Sequence, residues 1–154
     1  MKTLLKKTHQ KGFTLIELLV VIGILAVLMG IVLVAVNPGR QFNQANNSKR
    51  SNDVRQLLNA IGQYAADNKG QLPAGIPTAP TAAATIANTG ADLCAVLMPT
   101  YISALPQDPA SNAGVGITTC TTYSTGYTVQ QDANGRVTVT APSAALGATI
   151  SVTR

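Results

Sequence analysis

Between Gly12 and Asn37 stand twenty-four consecutive residues, Phe13 to Val36, that carry a single charge, Glu17. No other stretch restricts the fold so tightly. At about 1.5 Å of rise per residue, a helix of this length reaches roughly 36 Å, enough to cross a hydrocarbon core of about 30 Å. Leu, Ile and Val fall on every face, so the helix has no polar side to turn toward water. A helix of that kind lies in lipid or in a protein interior. Glu17 is the anomaly, because a carboxylate deep in lipid costs about 2.5 kcal/mol or more unless it is paired or protonated. A plain anchor has no use for it.

Lys2, Lys6, Lys7 and Lys11 precede the run. A secretory signal peptide also begins with basic residues, but its apolar core is usually about 7–15 residues and ends at a small-residue cleavage site. This run is longer, and Asn37-Pro38-Gly39 follows it. A single membrane span fits the length and leaves Glu17 unexplained.

The switch from polar to apolar falls in Lys11-Gly12-Phe13-Thr14-Leu15-Ile16-Glu17. This segment resembles the processing site of type IV pilins and type II secretion pseudopilins: a short basic leader, a glycine, a phenylalanine, and a glutamate four residues after it. The resemblance implies a leader over residues 1–12, cleavage between Gly12 and Phe13 by a prepilin peptidase, and N-methylation of Phe13. It implies that residues 13–36 first cross the membrane and then form the core of a filament. Glycine suits a cleavage site because the backbone can enter a protease without side-chain obstruction. Cleavage would create an amino group one helical turn from Glu17. In the family such an amine pairs with the glutamate of a neighbouring subunit, which would offset desolvation and fix axial register, as lone buried polar groups do in coiled coils.

The net charge of +5 suggests nucleic acid or an anionic surface. Four of the eleven cationic side chains lie in the leader, however, leaving seven cations against six anions beyond it. The leader's charge fits the positive-inside rule, with the N-terminus in the cytoplasm and the bulk of the chain outside; Arg40, Lys49 and Arg50 beyond the run count against that orientation. No basic stripe with interleaved aromatics follows, so direct nucleic-acid binding is not expected. Cys94 and Cys120, an even pair in a presumed external domain, read as a disulfide, with two unpaired small apolar side chains as the alternative.

Beyond the run, Asn37 and Pro38 suit the N-cap and first position of a new helical segment. Arg40 to Asp53 is polar and reads as a solvated stretch near the membrane surface. Val54, Leu57, Leu58, Ile61, Tyr64 and Ala65 then recur at helical intervals, with Gly70 and Pro73 as stop signals. Residues 37–70 therefore read as an amphipathic continuation of the helix laid on a sheet, and residues 71–154 as a small head. Pro73 to Gly90 reads as a surface loop, and Asp92 to Met98 as a short helix. Tyr101 followed by Leu105-Pro106-Gln107-Asp108-Pro109 resembles the segment leading into the sheet of major pseudopilins, although Ala110-Ser111 stands where that branch has Trp-Gly. The last third alternates as strands do: Tyr123, Tyr127 and Val129, then Val137, Val139 and Ala141, then Ile150 and Val152. Asp132-Ala133-Asn134-Gly135 marks a hairpin.

The only histidine, His9, lies in the leader, and the acids are few and scattered, so no catalytic group or cofactor is expected. Asp108 and Asp132 are weak calcium candidates by their oxygen chemistry, with ordinary turn residues the favoured reading. The fold expected is α+β and pilin-like, a long N-terminal helix packed on a small antiparallel β-meander. The resemblance implies a structural subunit of a pilus or secretion pseudopilus. Its partners would be the prepilin peptidase, other subunits, an inner-membrane platform protein, a cytoplasmic assembly ATPase, and membrane lipid before assembly. The rival reading is a single-pass membrane protein whose external domain binds a ligand and does not polymerise.

Overall fold

A computed structural model of the protein describes residues 12–154. The expected leader, His9 included, lies outside the described residues except for Gly12. The chain forms two units that divide between Gly39 and Arg40.

In the first unit, helix α1 (Leu15–Val36) takes up nearly the whole apolar run, and none of its residues is buried. Thr14 starts it as an extended N-cap, and Asn37 ends it in the left-handed region at φ 42°. Asparagine tolerates that conformation better than most residues with a side chain. Pro38 then opens α2 (Pro38–Asp67), as its fixed φ and missing N–H favour.

The second unit has one core. Val54, Leu57, Leu58, Ala60 and Ile61 of α2 are buried against the inner face of a four-stranded antiparallel sheet. The strands, β1 (Ala84–Ala87), β2 (Ser124–Gln131), β3 (Val137–Thr140) and β4 (Ser151–Thr153), lie in the sheet in chain order. Alternation decides what faces inward: Thr125, Tyr127 and Val129 of β2 and Val137 and Val139 of β3 are buried, while Thr128, Thr138 and Thr140 are not. The Asp132–Gly135 turn sets the register, with Gln131 opposite Val137, and Gly135 takes the positive φ of 84° that the tight turn needs. Helix α3 (Cys94–Leu97) and a short 3₁₀ turn (Asn112–Gly114) lie in the connection from β1 to β2.

Two expectations need correcting. Residues 40–53 are helical, as the reading of 37–70 expects, and mostly exposed or half-buried, but Arg50 and Asp53 are 3% and 6% exposed, so the stretch is not solvated throughout. Their polarity concealed burial because each is satisfied inside the protein. The Pro73–Gly90 segment is not all loop, since Ala84–Ala87 is an edge strand. Its four small or β-branched residues show too little alternation to be legible alone. The stop expected at Gly70 is present: Lys69 (φ 55°) and Gly70 (φ 85°) take left-handed positions just beyond α2, and the Gly70 N–H closes the helix on the Ala65 carbonyl at 2.8 Å.

The pairing of β1 with β2 is irregular. Thr85 faces Thr128 but Ala87 faces Ser124, so β2 carries extra residues between these pairs. The bulge holds Gly126 at φ 79°, and a Cβ there would stand 2.9 Å from the Asp108 Cβ. Bulges of this kind bend a strand and re-aim what lies beside it; here the bend admits the Asp108 loop. Gly126→Ala is expected to destabilise the protein by about 1–3 kcal/mol through strain at positive φ and displacement of Asp108, read as a lowered denaturant midpoint.

Candidate functional site

At the N-terminal end of α1, Phe13 is 86% exposed. Thr14 and Glu17 form a capping box. The Glu17 carboxylate accepts from the Thr14 N–H at 2.8 Å and from its hydroxyl at 2.7 Å, and the Glu17 N–H donates back to the Thr14 hydroxyl oxygen at 3.3 Å. The sequence signal for this device is Thr-x-x-Glu ahead of an apolar run, here Thr14 to Glu17. The acid that burdens an apolar helix thus satisfies orphan donors at the helix's own start. Among the described residues, a side chain at Gly12 would meet nothing within 4 Å.

The second cluster lies where α2 enters the head. Stepping back from Val54 at helical spacing along the apolar stripe gives Arg50 and then Asn47, which sit where apolar residues would be expected. Arg50 grips Asp108 through two bonds, Nε to Oδ2 at 2.8 Å and Nη2 to Oδ1 at 2.9 Å, and Arg50 Nη1 donates to Asn47 Oδ1 at 3.1 Å. Asn47 completes a two-way bond with the backbone of Ala145, donating at 2.8 Å and accepting at 2.9 Å. Lys49 donates to the Gly114 carbonyl, and the Tyr127 hydroxyl donates to Asp53 Oδ2 at 2.6 Å. Two turns of one helix thereby hold the Asp108–Gly114 loop, the Pro142–Ala148 loop and strand β2.

These bonds push the acids in opposite directions. Burial would raise the Asp108 carboxyl, but the Arg50 hydrogen bonds, the Ala110 N–H and the nearby cations outweigh it and hold it below the ordinary range. Burial raises Asp53, and the Tyr127 hydroxyl and Lys49 only partly offset that. Tyr127 is itself pushed upward by burial and by Asp53.

Neither calcium candidate is a free ligand in this arrangement. Both oxygens of Asp108 are taken by Arg50, and Oδ1 also accepts from the Ala110 N–H at 2.8 Å. Asp132 organises its own turn, accepting from the Asn134 and Arg136 N–H groups at 2.9 and 2.8 Å and from Arg136 Nε at 2.7 Å. Among the described residues no group of three or more His, Cys, Asp or Glu side chains is placed to hold a metal ion.

Cys94 and Cys120 are joined as a disulfide, their Cα atoms 5.5 Å apart. Beside it, the Tyr123 hydroxyl donates to Asp92 Oδ1 at 2.7 Å and accepts from the Leu93 and Cys94 N–H groups at 3.0 and 3.2 Å. Burial, then the Asp92 bond, pushes this phenol up to about 12. A neutral tyrosine therefore anchors the start of α3 at any working pH.

A long apolar N-terminal helix, followed by a second helix lying on an antiparallel meander, is a pilin-like α+β fold. Residues 7–33 match the prokaryotic N-terminal methylation motif, so the pattern around Gly12 is the prepilin-type motif shared by pilins and pseudopilins. The chain is also 34% identical over 107 residues to the type II secretion system core protein G of Pectobacterium carotovorum subsp. carotovorum. That match covers 66% of this chain and 62% of the relative. No solved structure matches the chain significantly.

Two predictions concern this cluster. Asp108 contributes stability above its unfolded value of about 3.9 that is lost as pH falls through its lower folded value, whereas Asp53 gains relative stability as it is protonated. Asp108→Asn should therefore cost about 3–5 kcal/mol at pH 7, a deficit that shrinks below about pH 4. Asp53→Asn should show the opposite trend, comparing better with the parent at pH 7 than at pH 3; urea titrations across that range check both signs. Replacing both cysteines by serine opens a loop with a sequence separation of 26 and should cost about 3.5 kcal/mol by chain entropy, checked by the same titration at neutral pH.

Proposed function

We propose that the protein is a structural subunit of a type II secretion pseudopilus or a related type IV pilus-like filament. The observation that carries this reading is a 22-residue helix with no buried residue, headed by Phe13 and Glu17 within the methylation motif. The similarity to a secretion-system core protein favours the secretion branch. On this reading a prepilin peptidase cuts after Gly12 and Phe13 is methylated.

The helix resides first in the cytoplasmic membrane, N-terminus inside and head outside, and then among the helices of neighbouring subunits. In lipid, the capping box lowers the cost of Glu17 by giving its carboxylate two donors. In the filament, the α-amino group of an adjacent subunit supplies a stronger, charged partner. A platform protein, an assembly ATPase and other subunits complete the machine. This chain contributes the polymerising stem and the exposed head, and no chemistry is assigned to it.

In cells that contain an active prepilin peptidase, the intact mass should correspond to loss of residues 1–12 plus about 14 Da for one methyl group. Glu17→Ala should still insert in the membrane and fail to assemble, measured by shearing and sedimentation of surface filaments. A protein that keeps Met1 in such cells overturns the reading in favour of a non-polymerising membrane anchor.

A further inference from the structure

Among the described residues of the head unit, three large apolar side chains are exposed: Phe42 (71%), Val115 (58%) and Leu146 (52%). Isolated exposed apolar residues are ordinary. These three are gathered at one end. Phe42 lies seven residues before Lys49, two turns down the same face of α2, and Lys49 binds the carbonyl of Gly114, the neighbour of Val115. Leu146 follows Ala145, whose backbone is pinned to Asn47. Val115 and Leu146 therefore lie near the third turn of α2 and Phe42 one to two turns before it, toward the end at which the chain enters the head.

We propose that this end of the head is a membrane-docking surface that rests on a phospholipid bilayer, with Phe42, Val115 and Leu146 entering the headgroup boundary. Chain length favours lipid as the occupant. Phe42 stands six residues beyond Val36, which limits it to about 20 Å from the end of the apolar run even if fully extended. Charge favours lipid as well. Arg40 and Lys49 flank Phe42 along the helix, while the acids in this part of the head, Asp53 and Asp108, are buried in bonds to Tyr127 and Arg50. An apolar cluster beside cations, without exposed anions, suits an anionic membrane surface. The loops that carry Val115 and Leu146 are held by Asn47 and Lys49, so the surface is built before lipid arrives.

The proposal rests on reading Leu15–Val36 as a membrane span. It is tested on the full-length chain, one copy per nanodisc of phosphatidylethanolamine and phosphatidylglycerol, with a gadolinium chelate on a fraction of the headgroups. Amide signals of Phe42, Val115 and Leu146 should broaden far more than those of Gly70 and Asn134. Gly70 lies beyond the opposite end of α2, and the hairpin that carries Asn134 packs beside that end. The triple variant Phe42→Ser, Val115→Ser, Leu146→Asn changes only exposed positions, and asparagine tolerates the φ of 59° at Leu146. It should lower the docked-to-free ratio at least about tenfold, the loss expected from one buried phenylalanine alone. Uniform broadening, an unchanged triple variant, or broadening that appears only with two chains per disc overturns the proposal, the last in favour of a contact between copies. A chain that fails to enter the discs overturns the span reading too, whereas insertion with unbroadened Phe42, Val115 and Leu146 overturns the docking surface alone.

Discussion

The paired hydrogen bonds from Arg50 to Asp108 join parts of the head that are 58 residues apart in the chain. Neither group can be buried alone, since an unpaired charge in a protein interior costs several kcal/mol. The helix must therefore present Arg50 at the place where the loop presents Asp108, and neighbouring features serve that meeting. The bulge in β2 removes backbone and side chain from the path of Asp108, and Gly126 leaves room against its Cβ. The Asp108 N–H bonds to the Thr125 carbonyl at 2.8 Å, which fixes the loop to the same bulge. Lys49 grips the far end of the same loop at Gly114, while Asn47 and Asp53 extend the attachment to the Pro142–Ala148 loop and to Tyr127. A cluster of this kind specifies one docking geometry more sharply than apolar contact, which tolerates sliding.

The stem obeys a different constraint. Its apolar faces find no partner within the described chain, so what covers them must be lipid or other molecules. Its backbone groups are satisfied internally, which is the condition for a helix to live in a medium without water. Only its first turn carries exposed donors and a charge, and the capping box unites the two. Glu17 thus has its hydrogen-bond partner within its own helix turn, in Thr14.

Between stem and sheet, stability is distributed unevenly. The apolar core of the head is modest in size, as expected for roughly 115 residues, and the disulfide adds cross-linking where the chain has long connections. Tyr123 holds the start of α3 next to Cys94, so the covalent link and the hydrogen-bond network reinforce one region. The Asp132 turn, by contrast, is locally self-sufficient: its bonds run only from Asp132 to Asn134, Gly135 and Arg136.

Local periodicity determined much of this protein. The unbroken apolar run could become only a helix without a polar face, Asn37-Pro38 marked its end, and Asn134-Gly135 placed the hairpin. Each of these depends on neighbours in sequence, so each is legible there. The partners of Arg50, Asp53 and Asp108 are not. A charged residue in a helical stripe looks solvated until the counter-ion that neutralises it is known, and that counter-ion arrives from a loop far along the chain. Strand β1 was hidden for a related reason, because Ala84–Ala87 is a strand only by virtue of pairing with β2. Sequence specifies what each segment prefers, but buried charge and edge pairing are properties of two segments together, and only the folded chain brings those two segments to one place.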